Sequence, residues 1–116
     1  MKPFIPKKKH GPEFNIRESI MIFMQFRGWF VKITHGNIFS SGFPDLFCTH
    51  MRYGHRWVEV KDPNRRGDPF TAAQLEVFPL LCANGSGVWV LVAATEAEYQ
   101  KLFKKFNWWQ YTGVNR

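Results

Sequence analysis

The sequence predicts an α/β domain whose elements follow in the order helix, three strands, helix, strand, helix. Three observations carry this. Ile16, Ile20, Phe23 and Met24 recur at helical spacing, and two later stretches repeat the pattern behind capping residues. Leu46-Phe47-Cys48-Thr49-His50 and Arg56-Trp57-Val58-Glu59-Val60-Lys61 have strand composition and flank the turn residues Arg52-Tyr53-Gly54-His55, which makes a hairpin. Val88-Trp89-Val90-Leu91-Val92-Ala93 is a near-continuous apolar run, expected of a strand buried on both faces at the sheet centre.

Taken in order, residues 1–14 read as a basic N-terminal arm, since three prolines and the run Lys7-Lys8-Lys9-His10 resist regular structure. The arm could grip a phosphate backbone or be a frayed, solvated terminus. Residues 15–116 form a single domain. Asn15 with Glu18 makes a capping box that opens a helix from about Ile16 to Arg27, with Gly28 as its stop. Glu18 is thereby explained as a cap, and it also lies near the helix start, from where it could reach an acidic cluster. Trp29 to Thr34 has strand composition, with Lys32 and Thr34 on one face. A turn at His35-Gly36-Asn37 and an irregular approach lead to Pro44-Asp45 and the hairpin.

After Lys61, the segment Asp62 to Pro69 is dense in turn formers and carries Arg65 and Arg66, so an exposed loop beside the acids is expected to grip substrate backbone. Thr71 and Gln74 form a capping box on the second helix, with Leu75, Phe78, Leu81 and Cys82 facing inward and a kink at Pro79. Asn84-Gly85-Ser86-Gly87 ends it. Thr95 and Glu98 cap a third helix from about Glu96 to Phe106, with Tyr99, Leu102, Phe103 and Phe106 inward and Lys101, Lys104 and Lys105 outward. Trp108, Trp109 and Tyr111 could stack on unpaired bases or cover a partner subunit, and packing back on the core is their expected role.

With 45% hydrophobic residues in 116, the chain can build its own core without disulfide staples. Cys48 and Cys82 are too few for a disulfide framework and are expected as buried thiols. The longest apolar run is too short for a bilayer, and the first residues lack the apolar region of a signal peptide, so a soluble intracellular protein that is not secreted is expected, with no membrane partner. Sixteen Lys and Arg against nine Asp and Glu give a formal charge of +7, which favours a polyanionic partner, nucleic acid above all.

The chemistry concentrates between Gly42 and Lys61. Side chains alternate along a strand, so Glu59 and Lys61 share one face and project beside Asp45, while Val58 and Val60 take the other. Two converging carboxylates repel unless a cation sits between them, and oxygen ligands suit a hard ion such as Mg²⁺ or Mn²⁺, which invites phosphate chemistry. The bland alternative makes Asp45 a turn residue and Glu59 and Lys61 the solvated face of an edge strand. A zinc site of Cys48, His50 and His55 is a further alternative, although the positions match no familiar zinc spacing.

The spacing of Pro44-Asp45 and Glu59-Val60-Lys61 resembles the active-site motif of the PD-(D/E)xK nuclease superfamily. Within it, the chain is similar to the stand-alone VRR-NUC (virus-type replication-repair nuclease) proteins through Glu18, Arg27-Gly28-Trp29, Gly42-Phe43-Pro44-Asp45-Leu46, Glu59-Val60-Lys61 and Gln74, over roughly Asn15 to Phe106. The resemblance implies a restriction-endonuclease-like αβββαβ core, a mixed central sheet flanked by helices, with an additional C-terminal helix. It implies that Asp45, Glu59 and the main-chain carbonyl of Val60 bind one or two divalent ions, Mg²⁺ or Mn²⁺, with Glu18 adding a ligand directly or through water. Lys61 would orient or deprotonate the attacking water, Gln74 would line the pocket, and Lys32 would help electrostatically. Members of the family are often viral and form homodimers that cut branched DNA such as Holliday (four-way) junctions. The expectation is therefore a metal-dependent, structure-selective DNA endonuclease of replication, recombination or repair, in the cytoplasm of a bacterial or virus-infected host cell. The alternatives are a nicking, flap or restriction-type nuclease of the same fold, and a non-catalytic basic nucleic-acid-binding or adaptor protein.

Overall fold

Four short strands pair into one mixed sheet, and the alternation of their side chains supplies two separate apolar faces for helices to cover. The computed structural model describes residues 11–34, 41–65 and 70–111. Among these, α1 spans Pro12–Gln25, β1 Phe30–Ile33, β2 Leu46–His50, β3 Gly54–Val60, α2 Ala72–Ala83, β4 Val88–Leu91 and α3 Glu96–Gln100, followed by 3₁₀ turns at Lys101–Phe103 and Trp108–Tyr111. The expected arm residues Lys7, Lys8 and Lys9, the turn at His35-Gly36-Asn37, and Arg66 lie outside the described residues.

The strand order is β1-β2-β3-β4. β1 and β2 are antiparallel, with Val31 opposite Cys48; β2 and β3 form the expected hairpin, with Leu46 opposite Val58; and β4 runs parallel to β3, with Val60 opposite Leu91. One sheet face buries Val31, Leu46, Cys48, Val58, Val60 and Leu91 against Ile20 and Met24 of α1 and against Tyr99 and Leu102. The other face buries Val88 and Val90 against Phe70 and Phe78, with Trp57, Leu81, Cys82 and Trp108 packed around them. Each fully buried side chain of this size contributes about 1.5–3 kcal/mol. Cys48 is fully buried, as expected, and Cys82 partly so. Trp108 meets Phe70 and Phe78 edge-on, so the tail does pack back on the core.

Several expectations need correction. The first helix is not opened by an Asn15–Glu18 capping box: its N-cap is Gly11, and Pro12 stands in its first turn. Proline's fixed φ suits that position, and its missing N–H is one the helix leaves unpaired there anyway. The helix therefore starts inside the stretch assigned to the arm. At its other end Gly28, with φ +92, supplies the left-handed residue that stops it.

β4 lies at the sheet edge and not at its centre. Its apolar run reflects two covered faces. Its free edge is closed by the side-chain amide of Asn107, which accepts a hydrogen bond from Val90 N–H at 2.7 Å and donates to Val90 C=O at 3.3 Å, standing in for a fifth strand. Val92 N–H is taken by Glu98 at 3.0 Å. Because Glu98 is so engaged, Thr95 receives only the Glu98 N–H bond and the reciprocal half of the box is absent.

The third helix is shorter than expected, giving way to 3₁₀ geometry at Lys101. Lys101 turns inward, at 2.7 Å from Glu98 and 2.9 Å from the Tyr111 hydroxyl, and Phe103 is exposed. In α2 the Thr71–Gln74 capping box is present and the helix continues through Pro79, but Leu75 is exposed and Gln74 takes the inward position beside Phe78.

Candidate active site

The register of β2 and β3 would next pair Asp45 with Glu59, one step beyond the Leu46–Val58 pair. The β2–β3 pairing ends at Leu46 and Val58, and just beyond it the acidic side chains accept backbone N–H groups of the two segments. Glu59 Oε1 accepts the backbone N–H of Asp45 at 3.0 Å, and Asp45 Oδ2 accepts the backbone N–H of Val60 at 2.9 Å. Each carboxylate thus holds the other's segment, which fixes their positions relative to one another. Upstream, the Thr34 hydroxyl donates to Pro44 C=O and the Thr34 N–H to Asp45 C=O, anchoring the segment to the end of β1. Gly42 makes the approach feasible: it has φ +84, and a Cβ there would lie 2.6 Å from the carbonyl oxygen of Ala73 in α2.

Two further groups converge on Glu59. Lys61, just beyond β3, donates its backbone N–H to Leu91 and places its ammonium 2.9 Å from Glu59 Oε2 and over the ring of Phe70. The Gln74 amide donates to the same oxygen at 2.9 Å while its carbonyl accepts the Thr71 N–H at 3.1 Å. The helix cap therefore aims the amide, and capping and site duties are one arrangement. Asp45, Glu59, Lys61 and Gln74 are brought together as expected. The surface-charge alternative fails for Glu59 and Lys61, which are only 1% and 5% exposed.

Burial first, and the neighbouring Asp45 charge second, raise the Glu59 pKa; Lys61 and Gln74 pull it back only in part, and the balance leaves it at about 8. Two acids that repel across a short gap, in an oxygen-rich corner that includes the Val60 main chain, fit a hard divalent cation: its charge would relieve that repulsion. Lys61 supplies a compact positive charge on the same side.

The remaining candidates are placed differently. Glu18 lies further along α1, where its carboxylate is 3.9 Å from Arg17. The α1 carboxylate that reaches the strand ends is Glu13, which accepts the Asp62 N–H at 3.2 Å and lies 3.9 Å from Arg65. Sequence reading passed over Glu13 because the helix was started too late; Pro12 as a first-turn residue was the available signal. Arg65 is exposed in the loop after Lys61, as expected. Lys32 is exposed on β1, opposite Phe47.

The zinc alternative finds no support. Cys48 is buried and its thiol pushed up to about 12, the His50 ring is tied to Arg27 C=O and Arg52 N–H, and the His55 ring stacks on Phe47. Among the described residues no three His, Cys, Asp or Glu side chains cluster as a metal site. None of the described helices is long and apolar enough to cross a membrane.

No family model matches the chain, and no curated protein does. Among solved structures it is similar to a VRR_NUC domain, with a TM-score of 0.60 and 24% identity over 76% of this chain and 91% of that one. The chain has the fold of a VRR_NUC domain: a four-stranded mixed sheet between helices, consistent with a restriction-endonuclease-like core.

Proposed function

We propose that this chain is a divalent-cation-dependent DNA endonuclease that hydrolyses phosphodiester bonds in branched DNA such as four-way junctions. The observation that carries the reading is the buried corner where Asp45 and Glu59 hold each other's strands while Lys61 and Gln74 converge on Glu59. Phosphodiester hydrolysis is among the slowest reactions enzymes accelerate, and it demands an activated water and stabilisation of charge on phosphorus oxygens.

Asp45 and Glu59, with the Val60 carbonyl, would hold Mg²⁺ or Mn²⁺. When bound, the ion lowers the pKa of water and polarises the scissile phosphate. The protein's own residues do the rest. Lys61 faces the developing negative charge and orients the attacking water. Gln74 keeps Glu59 Oε2 turned toward the site. Arg65, on the adjoining loop, steers the phosphate backbone inward. Glu13 steadies that loop through the Asp62 N–H. A two-fold homodimer would set two such sites against opposed strands of a junction.

The test is cleavage of a labelled four-way junction beside a matched linear duplex, with Mg²⁺, with Mn²⁺ and with chelator, for the wild type and Asp45→Asn. Metal-dependent cutting of the junction that falls about 100-fold or more in the variant is the expected result. Equal cutting of the duplex would remove the branched-DNA part. Binding without cutting under any metal would replace the nuclease with a nucleic-acid-binding adaptor.

A further inference from the structure

The sheet face that carries Glu59 is covered unevenly. Toward β4 it is closed by Phe78 of α2 and by Trp108, but toward β1 and β2 the described residues leave it more open: Phe30 is 62% exposed, Lys32 and His55 are exposed as well, and Phe43, Phe47 and Trp57 are half-buried. The registers place Phe30 opposite Thr49, Lys32 opposite Phe47, and Phe47 opposite Trp57, all on this face, because Val31, Leu46, Cys48 and Val58 fill the opposite core. Phe43, Trp57, Phe47 and His55 are joined by ring contacts, and Phe30 lies on the same face toward the sheet edge. Phe47 lies 4.9 Å from Trp57 and 6.0 Å from His55, and Phe43 meets Trp57 edge-on at 5.4 Å.

This surface runs directly into the acidic corner. Trp57 and Glu59 are alternate residues of β3, so their side chains stand about 7 Å apart along the strand. Two stacked bases, each rising about 3.4 Å along the axis, span a similar length. Aromatic rings interrupted by a single lysine, on a chain of formal charge +7, match a ligand with flat apolar faces and a negative backbone. Paired bases cannot offer their faces to it.

We infer that the open half of this sheet face is a stacking platform for the unpaired bases of the strand whose phosphate enters the Glu59–Lys61 corner. The inference rests on the nuclease reading and deepens it: the strand to be cut is unpaired where it enters the site, as at an opened branch point, and Lys32 meets the backbone of that unpaired segment.

The experiment measures binding of the full chain, in chelator so that nothing is cut, to a fluorescent thymidine oligonucleotide of about a dozen nucleotides and to a duplex of equal length. Phe47→Leu tests the centre of the platform. Phe30→Ala tests an exposed ring whose removal leaves both cores intact. Each variant is expected to weaken single-strand binding by about ten-fold and duplex binding by less than about two-fold. Unchanged single-strand binding, or equal losses on both ligands, overturns the platform. So does a Phe30→Ala protein that changes its sedimentation while binding the oligonucleotide like the wild type, because the face is then covered by a second copy of the chain. The junction cleavage assay on the same proteins separates the two readings. A wild type that cuts while both variants bind single strands normally defeats the platform alone. A wild type that never cuts, with the selective binding losses present, defeats the nuclease and leaves the platform standing.

Discussion

Glu59 combines near-complete burial, a carboxylate neighbour and a lysine at 2.9 Å, and its proton is held up to about pH 8. A cation and that proton compete for the same charge. Below about pH 8 the proton is the stronger competitor, so the apparent affinity for Mg²⁺ or Mn²⁺ should rise with pH, by up to about ten-fold per unit, and level off above it. Calorimetric titrations of the metal at several pH values, in buffers of different ionisation heat, would show the slope and the released proton. An affinity that is flat from roughly pH 6 to 8 would sink the idea. The same shift acts on stability without metal. A carboxyl raised from 4.5 to about 8 favours the folded state below the lower value, and this contribution is lost as pH rises through the window, since the unfolded chain gives up the proton first. Residue types at this site were legible from the chain, and the fold brings Asp45, Glu59, Lys61 and Gln74 together. Their mutual bonds were not. That Glu59 accepts the Asp45 N–H depends on where the two strands stop pairing, which no local pattern records.

Among the elements, β4 shows how a local signal can be right about composition and wrong about place. A strand with both faces covered reads alike at the centre and at the edge of a sheet, because hydropathy reports the faces and not the hydrogen-bonding edges. Asn107 decides the matter, and its isolated position in the tail carries no pattern. Asn107→Ala would remove both bonds to Val90 and leave a buried N–H unpaired, at a cost of about 1–3 kcal/mol in urea unfolding. A loss under about 0.5 kcal/mol would mean that the edge is closed by something else. The Thr71–Gln74 box, by contrast, was readable, since capping is a property of four consecutive residues. The false box at Asn15 and Glu18 has the same letters. Pro12 overrode it by starting the helix earlier, which moved Glu13 to the strand ends.

For the whole molecule, the formal charge of +7 is the property that sets how strongly any polyanion is held. With chelator present, DNA affinity should fall linearly on a log–log plot against salt, by about ten-fold or more between ~50 and ~200 mM, as counterions released by the lysines and arginines compete back. Fluorescence anisotropy over a salt series measures it. An affinity insensitive to salt would show that charge is not what binds. The two cores on opposite sheet faces support the site rather than forming it: Val58 and Val60 anchor β3 on one side so that Glu59 and Lys61 can be presented on the other.

By itself the sequence determined the element types, their order, the hairpin and the residues of the acidic corner. Each of these follows from periodicity, turn chemistry or side-chain alternation within a few consecutive positions. Only the tertiary structure decided the strand order, the edge position of β4, the carboxylate of α1 that reaches the strand ends, and the open aromatic half of the sheet. Those depend on contacts between segments far apart in the chain, whose register and coverage are set by how the faces pack.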